Sequence, residues 1–278
     1  MRVSRAERTA NYVILAAFAL FALVPILTIL QAALGPGDTA AAGTGTGGTG
    51  SFAGLNFGNF VEAWQVGHFG QYMRMSFLVS ASVVLVSVGL SILSGFAFGT
   101  MRFRGSTTLF YLFLLGIMMP SEAIVVPLYF DLRSLGLTDT FWAIALPQVA
   151  QSVAFGTFWM RAYFRSSSRS LIEAARLDGA SNRRILWQVL VPLARPALVT
   201  LTVLVFMWTW NEFLIPLVML VSNNNQTVSV AMGLTRGQNM SDPTLQAAAS
   251  LLGMAPTLIF FLIFQRTLTR GVVVGAVK

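Results

Sequence analysis

Six polar side chains lie within otherwise apolar runs of this sequence, and their types are suited to binding a hydroxylated solute. They are Glu122, Gln148, Gln151, Thr209, Asn211 and Glu212. Amides and hydroxyls donate and accept hydrogen bonds, and carboxylates accept them, so the set could hold the hydroxyl groups of a sugar. Gln148 and Gln151 are three residues apart and therefore share a face if their run is helical.

Polar side chains are costly in a membrane, so we expect these six to face a helix-bundle interior or a water-filled cavity. The alternative is that they bond across helices, or to backbone groups that prolines leave unpaired. Those prolines are Pro120, Pro127, Pro147 and Pro216, and we expect the first two to break the apolar run that contains Glu122. We interpret the nearby tryptophans as interface anchors or packing residues rather than platforms for a sugar ring. They are Trp142, Trp159, Trp208 and Trp210.

Composition excludes several other kinds of chemistry. The 278 residues contain no cysteine and one histidine, His68, so thiolate chemistry and a histidine metal cluster are excluded. The only lysine is Lys278, and no Gly-x-x-x-x-Gly-Lys-Ser/Thr motif occurs. The chain is therefore not a P-loop ATPase. We expect no cofactor or metal on it, and any ATP would bind to another subunit.

Six apolar runs position the polar residues. With 55% hydrophobic and 10% charged residues, the chain is too apolar for an ordinary soluble domain. A helix of about 20 residues crosses a hydrocarbon core, so we predict one all-α membrane domain over residues 1–278 with six transmembrane helices. The predicted spans are about 12–34, 75–100, 109–130, 141–160, 197–221 and 245–264. In the second, Ser91, Gly95 and Gly99 recur every four residues, which predicts close helix packing.

Residues 35–72 form a predicted outer loop. It begins with the tract GPGDTAAAGTGTGGTG, which has too little apolar surface to offset the entropy of ordering. We therefore predict a flexible loop, and the sequence assigns it no function.

The basic residues predict the orientation in the membrane. If the N-terminus is inside, fifteen of the 18 basic residues fall in cytoplasmic segments, and only Arg74, Arg133 and Arg236 fall outside. This places both termini and residues 166–196 in the cytoplasm of a multi-pass membrane protein. The net charge of +8 follows from this bias and does not indicate a nucleic-acid partner.

Residues 166–196, here called the docking element, form a long polar segment between two apolar runs, and the spacing of their apolar residues is that of a helix. Leu171, Ala174, Ala175 and Asp178 fall on one face at helical spacing. The two alanines would let a partner approach closely, and the acidic side chains would orient it. Gly179 lies where a helix can end in a left-handed turn.

A second helix of the docking element is predicted to follow that turn. Ser181 can cap its N-terminus, and Pro192 and Pro196 are expected to interrupt it. An amphipathic segment lying on anionic lipid is the alternative, although it would need neither the alanine pair nor the glycine turn. A DNA-binding helix-turn-helix conflicts with the flanking membrane spans.

Eight residues of the docking element resemble the EAA loop of ABC importer permeases. They are Glu173, Ala174, Ala175, Asp178, Gly179, Ala180, Ile185 and Pro192. In that family the loop forms coupling helices that bind a groove on a cytoplasmic ATPase subunit. The resemblance therefore implies ATPase coupling for these eight positions.

Further motifs extend the resemblance over most of the chain. They are Met101-Arg102-Phe103-Arg104-Gly105, Pro127-Leu128, Trp210-Asn211-Glu212-Phe213 and the tail from Arg270-Gly271 to Lys278. Together they resemble the carbohydrate branch of binding-protein-dependent ABC importers, namely the MalG-like permease of the maltose type. The resemblance implies a type I ABC importer permease fold that forms half of a translocation pore for mono- or oligosaccharides. It also implies a bacterial-type inner membrane as the location. An ABC permease for a non-sugar solute, or an ion-coupled carrier with Glu122 or Glu212 as proton site, remains the alternative.

The resemblance also implies a set of partners. These are a second, homologous permease, two cytoplasmic ATPase subunits that bind ATP and Mg²⁺, and an extracytoplasmic solute-binding protein. In this family the loop before the last span reaches toward that receptor. Its polar residues here are Asn223, Asn224, Asn225 and Gln226.

Overall fold

The structure, a computed structural model, describes residues 4–35, 55–166, 169–221, 226–238 and 242–276. Within these ranges the chain is helical and contains no strand. The helices are α1 (Arg5–Leu34), α2 (Gly58–Val66), α3 (Phe69–Thr100), α4 (Ser106–Met118), α5 (Ser121–Ser134), α6 (Phe141–Ser166), α7 (Arg169–Leu177), α8 (Asn182–Arg184), a π-helical segment (Ile185–Leu190), α9 (Val191–Leu193), α10 (Arg195–Asn211), α11 (Leu214–Met219), α12 (Val228–Gln238) and α13 (Pro243–Ala276). The predicted all-α class is confirmed.

The described residues fall into two compact units. The first draws its residues from 1–70 and 231–255, and the second from 71–230 and 256–278. In the first unit, Asn59 joins α2 to the end of α1, because its Nδ2 donates to the Ala33 carbonyl at 2.8 Å. The interpretation of the chain as one domain stays a prediction.

In the second unit α3 packs closely against α6. A Cβ added to Gly95 would lie 2.5 Å from the Met160 Cβ, and one added to Gly99 would lie 3.1 Å from the Phe164 Cβ. Ser94 Oγ and Thr157 Oγ1 are hydrogen-bonded across the same contact at 2.6 Å. The close packing predicted from small residues at four-residue spacing is confirmed, since larger side chains would separate the two backbones.

Two predicted spans are broken helices. α4 and α5 are bent by 98° at Met119 and Pro120, as the position of Pro120 predicts. Pro127 was also expected to break this run, and that prediction is wrong, because α5 continues through it. Proline is tolerated inside a helix where neighbouring groups satisfy the freed backbone. Within the fifth predicted span, α10 ends at Asn211 and α11 begins at Leu214.

Three described helical segments are long and apolar enough to cross a membrane. They are Glu7–Leu34, Phe69–Thr100 and Pro243–Thr267. Two bent helix pairs also pass this test, namely Ser106–Met118 with Ser121–Ser134 and Asn182–Leu193 with Arg195–Asn211. Counting each pair as one span gives five. α6 is not among them, and it carries Gln148 and Gln151 in its first half. The count of six spans therefore stays a prediction.

Candidate functional site

The docking element folds as a helix, a glycine turn and a second helix. Two residues after the end of α7, Gly179 lies in the left-handed region at φ +75°. The Ala180 N–H donates to the Ala175 carbonyl at 2.9 Å, and the Gly179 N–H donates to the Arg176 carbonyl at 3.0 Å. This pair of bonds is a Schellman motif, so the turn predicted at Gly179 is confirmed. Ser181 Oγ then accepts from the Arg184 N–H at 3.4 Å, which confirms the predicted N-cap.

The second helix runs further than predicted. It passes through Pro192 to Leu193 and then bends by 77° into α10, with Pro196 in the first turn of α10. A π-helical segment precedes Pro192, and in it the Val191 N–H donates to the Leu186 carbonyl. The expectation that Pro192 interrupts this helix is therefore wrong. The wider π turn departs from the regular i→i−4 pattern that a proline ring disrupts.

The two faces of the docking element differ. Ile172, Ala175 and Ala180 pack against the apolar core, and Ile185 is buried in it. Glu173, Ala174 and Asp178 are exposed, as is Leu171. Ala175 therefore lies on the inner side, and the prediction that it shares one face with Ala174 is wrong.

Leu177 is the functional candidate that the sequence reasoning missed. Its side chain, at the C-terminal end of α7, is 89% exposed, more than any other large apolar side chain among the described residues. The signal was an apolar residue between Arg176 and Asp178, next to a predicted turn. Such a residue at the tip of a polar helix is suited to burial against a partner.

Five of the six polar candidates line one cleft in the second unit. The cleft has a volume of about 520 Å³ and lies between the α4–α5 bend, α6 and α10. Its lining residues are Gly116, Ile117, Met119, Ser121, Gln148, Gln151, Ser152, Phe155, Leu204, Met207, Trp208, Thr209, Asn211 and Glu212. Residues from three predicted spans thus meet at one concave site.

Both helix breaks border this cleft. Met119 and Ser121 flank the bend at Pro120, and Glu212 lies at the break between α10 and α11. Non-helical backbone at membrane depth is tolerated where it is buried in protein or lines an aqueous cavity. The breaks therefore support a polar cavity at this position.

Three of the polar side chains in the cleft bond to the chain itself. Gln151 Nε2 donates to Ser121 Oγ at 3.1 Å, and Asn211 Nδ2 donates to the Met207 carbonyl at 2.7 Å. Glu212 Oε1 accepts the N–H groups of two residues at the start of α11, at 3.0 and 3.1 Å. Cross-helix and backbone bonding, the alternative to a solute-binding role, therefore accounts for these groups in the present structure.

Gln148 differs from those three. It is 4% exposed, and neither its Nε2 nor its Oε1 bonds to another described residue. A buried amide without a partner is costly, so this side chain is the cleft group best suited to an external ligand. Thr209, at 7% exposed, is also buried at the cleft wall.

The remaining candidates lie elsewhere. Glu122 is exposed in the first turn of α5, where a carboxylate is favoured by the helix dipole, and it does not line the cleft. The expectation that Glu122 faces a bundle interior or a water-filled cavity stays a prediction. Gln226 is only 5% exposed, so its side chain is not displayed on this chain. Asn223, Asn224 and Asn225 lie outside the described residues.

α6 and α10 connect the docking element to the cleft. Tyr163 on α6 donates its hydroxyl to the Leu193 carbonyl at 2.7 Å, beside the bend that begins α10. Trp159 Nε1 donates to the Ala197 carbonyl at 3.1 Å. The other ends of both helices carry cleft residues, and α10 is about 25 Å long. The two helices are therefore joined where they meet the docking element.

Comparison with known proteins identifies the family. Residues 87–274 match the family model described as "Binding-protein-dependent transport system inner membrane component". The trehalose transport system permease protein SugB of Mycobacterium tuberculosis is 31% identical over 93% of each chain. The trehalose/maltose transport system permease protein MalG of Thermococcus litoralis is 32% identical over 76% of each.

A solved structure agrees with the fold. A chain of a bacterial ABC transporter involved in the import of the acidic polysaccharide alginate superposes with a TM-score of 0.77 at 25% identity. The match covers 96% of this chain and 99% of that one. The helical fold agrees with this match, and the chain belongs to the family of binding-protein-dependent transport system inner membrane components.

Proposed function

We propose that this chain is the permease subunit of an ATP-driven importer of mono- or oligosaccharides. Relatives named for trehalose, trehalose/maltose and arabinooligosaccharide transport support the sugar class. The cleft also suits a hydroxylated solute, because its apolar lining is interrupted by amide, hydroxyl and carboxylate groups. In this role the chain forms half of the translocation pore.

One observation carries the coupling part of the proposal. α6 and α10 each have one end at the docking element and the other at the cleft, and Tyr163 and Trp159 bond them together near the docking element. Force applied to the docking element would move both helices as one body. The cleft would then open alternately to the two sides of the membrane.

The partners follow from this role. The exposed face formed by Leu171, Glu173, Ala174, Leu177 and Asp178 binds an ATPase subunit, with Gly179, Ala180, Ile185 and Pro192 holding its shape. Two such ATPases bind ATP and Mg²⁺, a second homologous permease completes the pore, and an extracytoplasmic solute-binding protein delivers the sugar. This chain is therefore a non-catalytic subunit. Its termini and docking element are cytoplasmic, and the receptor binds on the opposite side of the membrane.

Reconstitution tests the proposal. The complex is purified from its native membrane through a tag on this chain, inserted into liposomes, and tested for uptake of trehalose, maltose and arabinose oligosaccharides. Uptake should require ATP on the side that bears the docking element, together with a receptor. Uptake by the purified chain alone without nucleotide would contradict the proposal. So would labelling of a cysteine placed at Asp178 from the receptor side, a clean probe because the native chain has no cysteine.

A further inference from the structure

Trp208 has a position in the cleft that its sequence context does not indicate. Its side chain is 49% exposed and lines the cleft, where a membrane-interface anchor or a packing residue was expected. Phe155 packs edge-on against it, with ring centroids 4.7 Å apart and planes at 73°. Phe155 in turn stacks on Trp159 at 6.0 Å and 28°. The indole thus packs against one ring, which itself packs on a second, while about half of the indole side chain remains exposed.

The cleft places polar groups on α6 beside that ring. Gln148, Gln151 and Phe155 recur at helical spacing on α6, so they share one face. Gln151 is already bonded to Ser121, whereas both polar atoms of the buried Gln148 amide are unpaired within the described chain. One cleft therefore combines a rigid aromatic surface with an amide that can both donate and accept.

The charged groups of the cleft restrict the solutes that it can bind. Among the described residues that line it, Glu212 is the sole ionisable side chain, and no arginine or lysine is present. Glu212 Oε1 is occupied by two backbone N–H groups of α11. An acidic sugar would bring its carboxylate next to the Glu212 carboxylate, with no cationic side chain among the described lining residues to offset the repulsion, which is unfavourable.

We infer that this subunit binds substrate directly, with one ring of an uncharged sugar stacked on Trp208 and hydrogen-bonded to the Gln148 amide. The inference rests on the proposed sugar-import function and adds the contact residues and the charge class of the sugar. The apolar C–H face of a sugar ring covers the indole, while its hydroxyls complete the hydrogen bonds that Gln148 lacks. The similar alginate transporter imports an acidic polysaccharide, so the two permeases should differ in this cleft.

Cysteine protection tests the inference in the purified complex. Because the native chain has no cysteine, Ser121→Cys places a single thiol of this chain at the cleft wall. Its alkylation by N-ethylmaleimide is followed by mass spectrometry of this chain. The probe is whichever of trehalose, maltose and arabinose oligosaccharides the complex imports, and glucuronate serves as the acidic comparison. The imported sugar should slow alkylation, and glucuronate at equal concentration should not.

Two substitutions then locate the contact. Trp208→Ala should raise the sugar concentration needed for protection by roughly tenfold, and Gln148→Ala by about fivefold. Trp142→Ala is the matched control, because Trp142 is 55% exposed but does not line the cleft. Trp208→Phe should restore part of the protection, which a folding defect would not predict.

The outcomes separate the inference from the proposed function. ATP-dependent uptake with protection unchanged by Trp208→Ala and Gln148→Ala would overturn the inference and leave the proposed function intact. A thiol that is never alkylated would mean that the partner permease fills the cleft, and it would overturn the inference too. Protection by glucuronate would overturn the assignment of the cleft to uncharged sugars. Failure to import any sugar would overturn both proposals.

Discussion

The docking element and the cleft both contain polar side chains, but they use them in different ways. On the outer face of the docking element, Glu173 and Asp178 are exposed beside the apolar Leu177. In the cleft, Gln151 and Glu212 bond to their own chain across or beside a helix break. The docking element exposes its polar side chains, whereas most of the polar candidates in the cleft bond to backbone groups or neighbouring side chains of the same chain.

This difference teaches how to weigh polar residues in a membrane protein. A polar group near a helix break is first a candidate for satisfying the broken backbone, because no lipid group can do so. A side chain that is exposed on a glycine-ended helix is not needed for that purpose and is available to a partner. Substitutions in the docking element should therefore affect coupling, while substitutions of bonded cleft residues should affect folding.

The largest effect is expected from Gly179→Val. Gly179 has φ +75°, a conformation that a β-branched residue rarely adopts, although an added Cβ would meet no atom within 4 Å. The strain, on the order of 1–3 kcal/mol, should displace α7 and lower ATP-driven uptake by at least about tenfold. Receptor–sugar binding should be unchanged. Uptake is measured in liposomes that contain the whole complex.

Gly136→Val is the matched control for that substitution. Gly136 closes the same kind of turn after α5, with φ +67° and open space around an added Cβ. The Leu137 N–H donates there to the Leu132 carbonyl at 2.9 Å. If both valine variants lose uptake equally, backbone strain alone explains the loss and the special role of the docking turn fails. Gly179→Asn should retain function, since asparagine tolerates this conformation.

A smaller effect is expected from Leu177→Ser. If the ATPase buries part of this 89% exposed leucine, its loss should weaken binding by about 1 kcal/mol, or roughly fivefold. Titration of purified ATPase onto the detergent-solubilised permease measures this affinity. Leu135→Ser is the control, because Leu135 is 69% exposed outside the docking element. Equal affinities for the wild type and Leu177→Ser would remove Leu177 from the interface.

The smallest effect is expected from Glu212→Gln. An amide oxygen can still accept the N–H groups of Leu214 and Ile215, so uptake should stay within roughly twofold and its pH profile should not move. Glu212→Leu removes the acceptor and should cost about 1 kcal/mol of stability, seen as a lower melting temperature. A carrier that moves protons through this carboxylate predicts the reverse, namely loss of uptake in the glutamine variant.

The fold was predictable where a local rule decides the backbone. Gly179 marks a turn because the turn requires a residue that tolerates a positive φ. Ser181 marks a cap because the first N–H groups of a helix require a hydrogen-bond acceptor. The run from Ser91 to Gly99 predicts a close helix contact, since only small residues allow it. Pro127 and Pro192 do not break their helices, and a π-helical segment before Pro192 changes the backbone hydrogen-bond pattern there.

The sequence by itself determined that this is a helical membrane protein with a glycine-ended docking helix, since hydropathy and backbone preferences act over short stretches. The tertiary structure alone decided that residues more than 60 positions apart, from Gln148 to Glu212, meet around one cleft. It also decided which amide there stays unpaired and that Trp208 faces the cavity. These properties depend on which helices touch, and contacts between distant segments are not encoded in the pattern of any one of them.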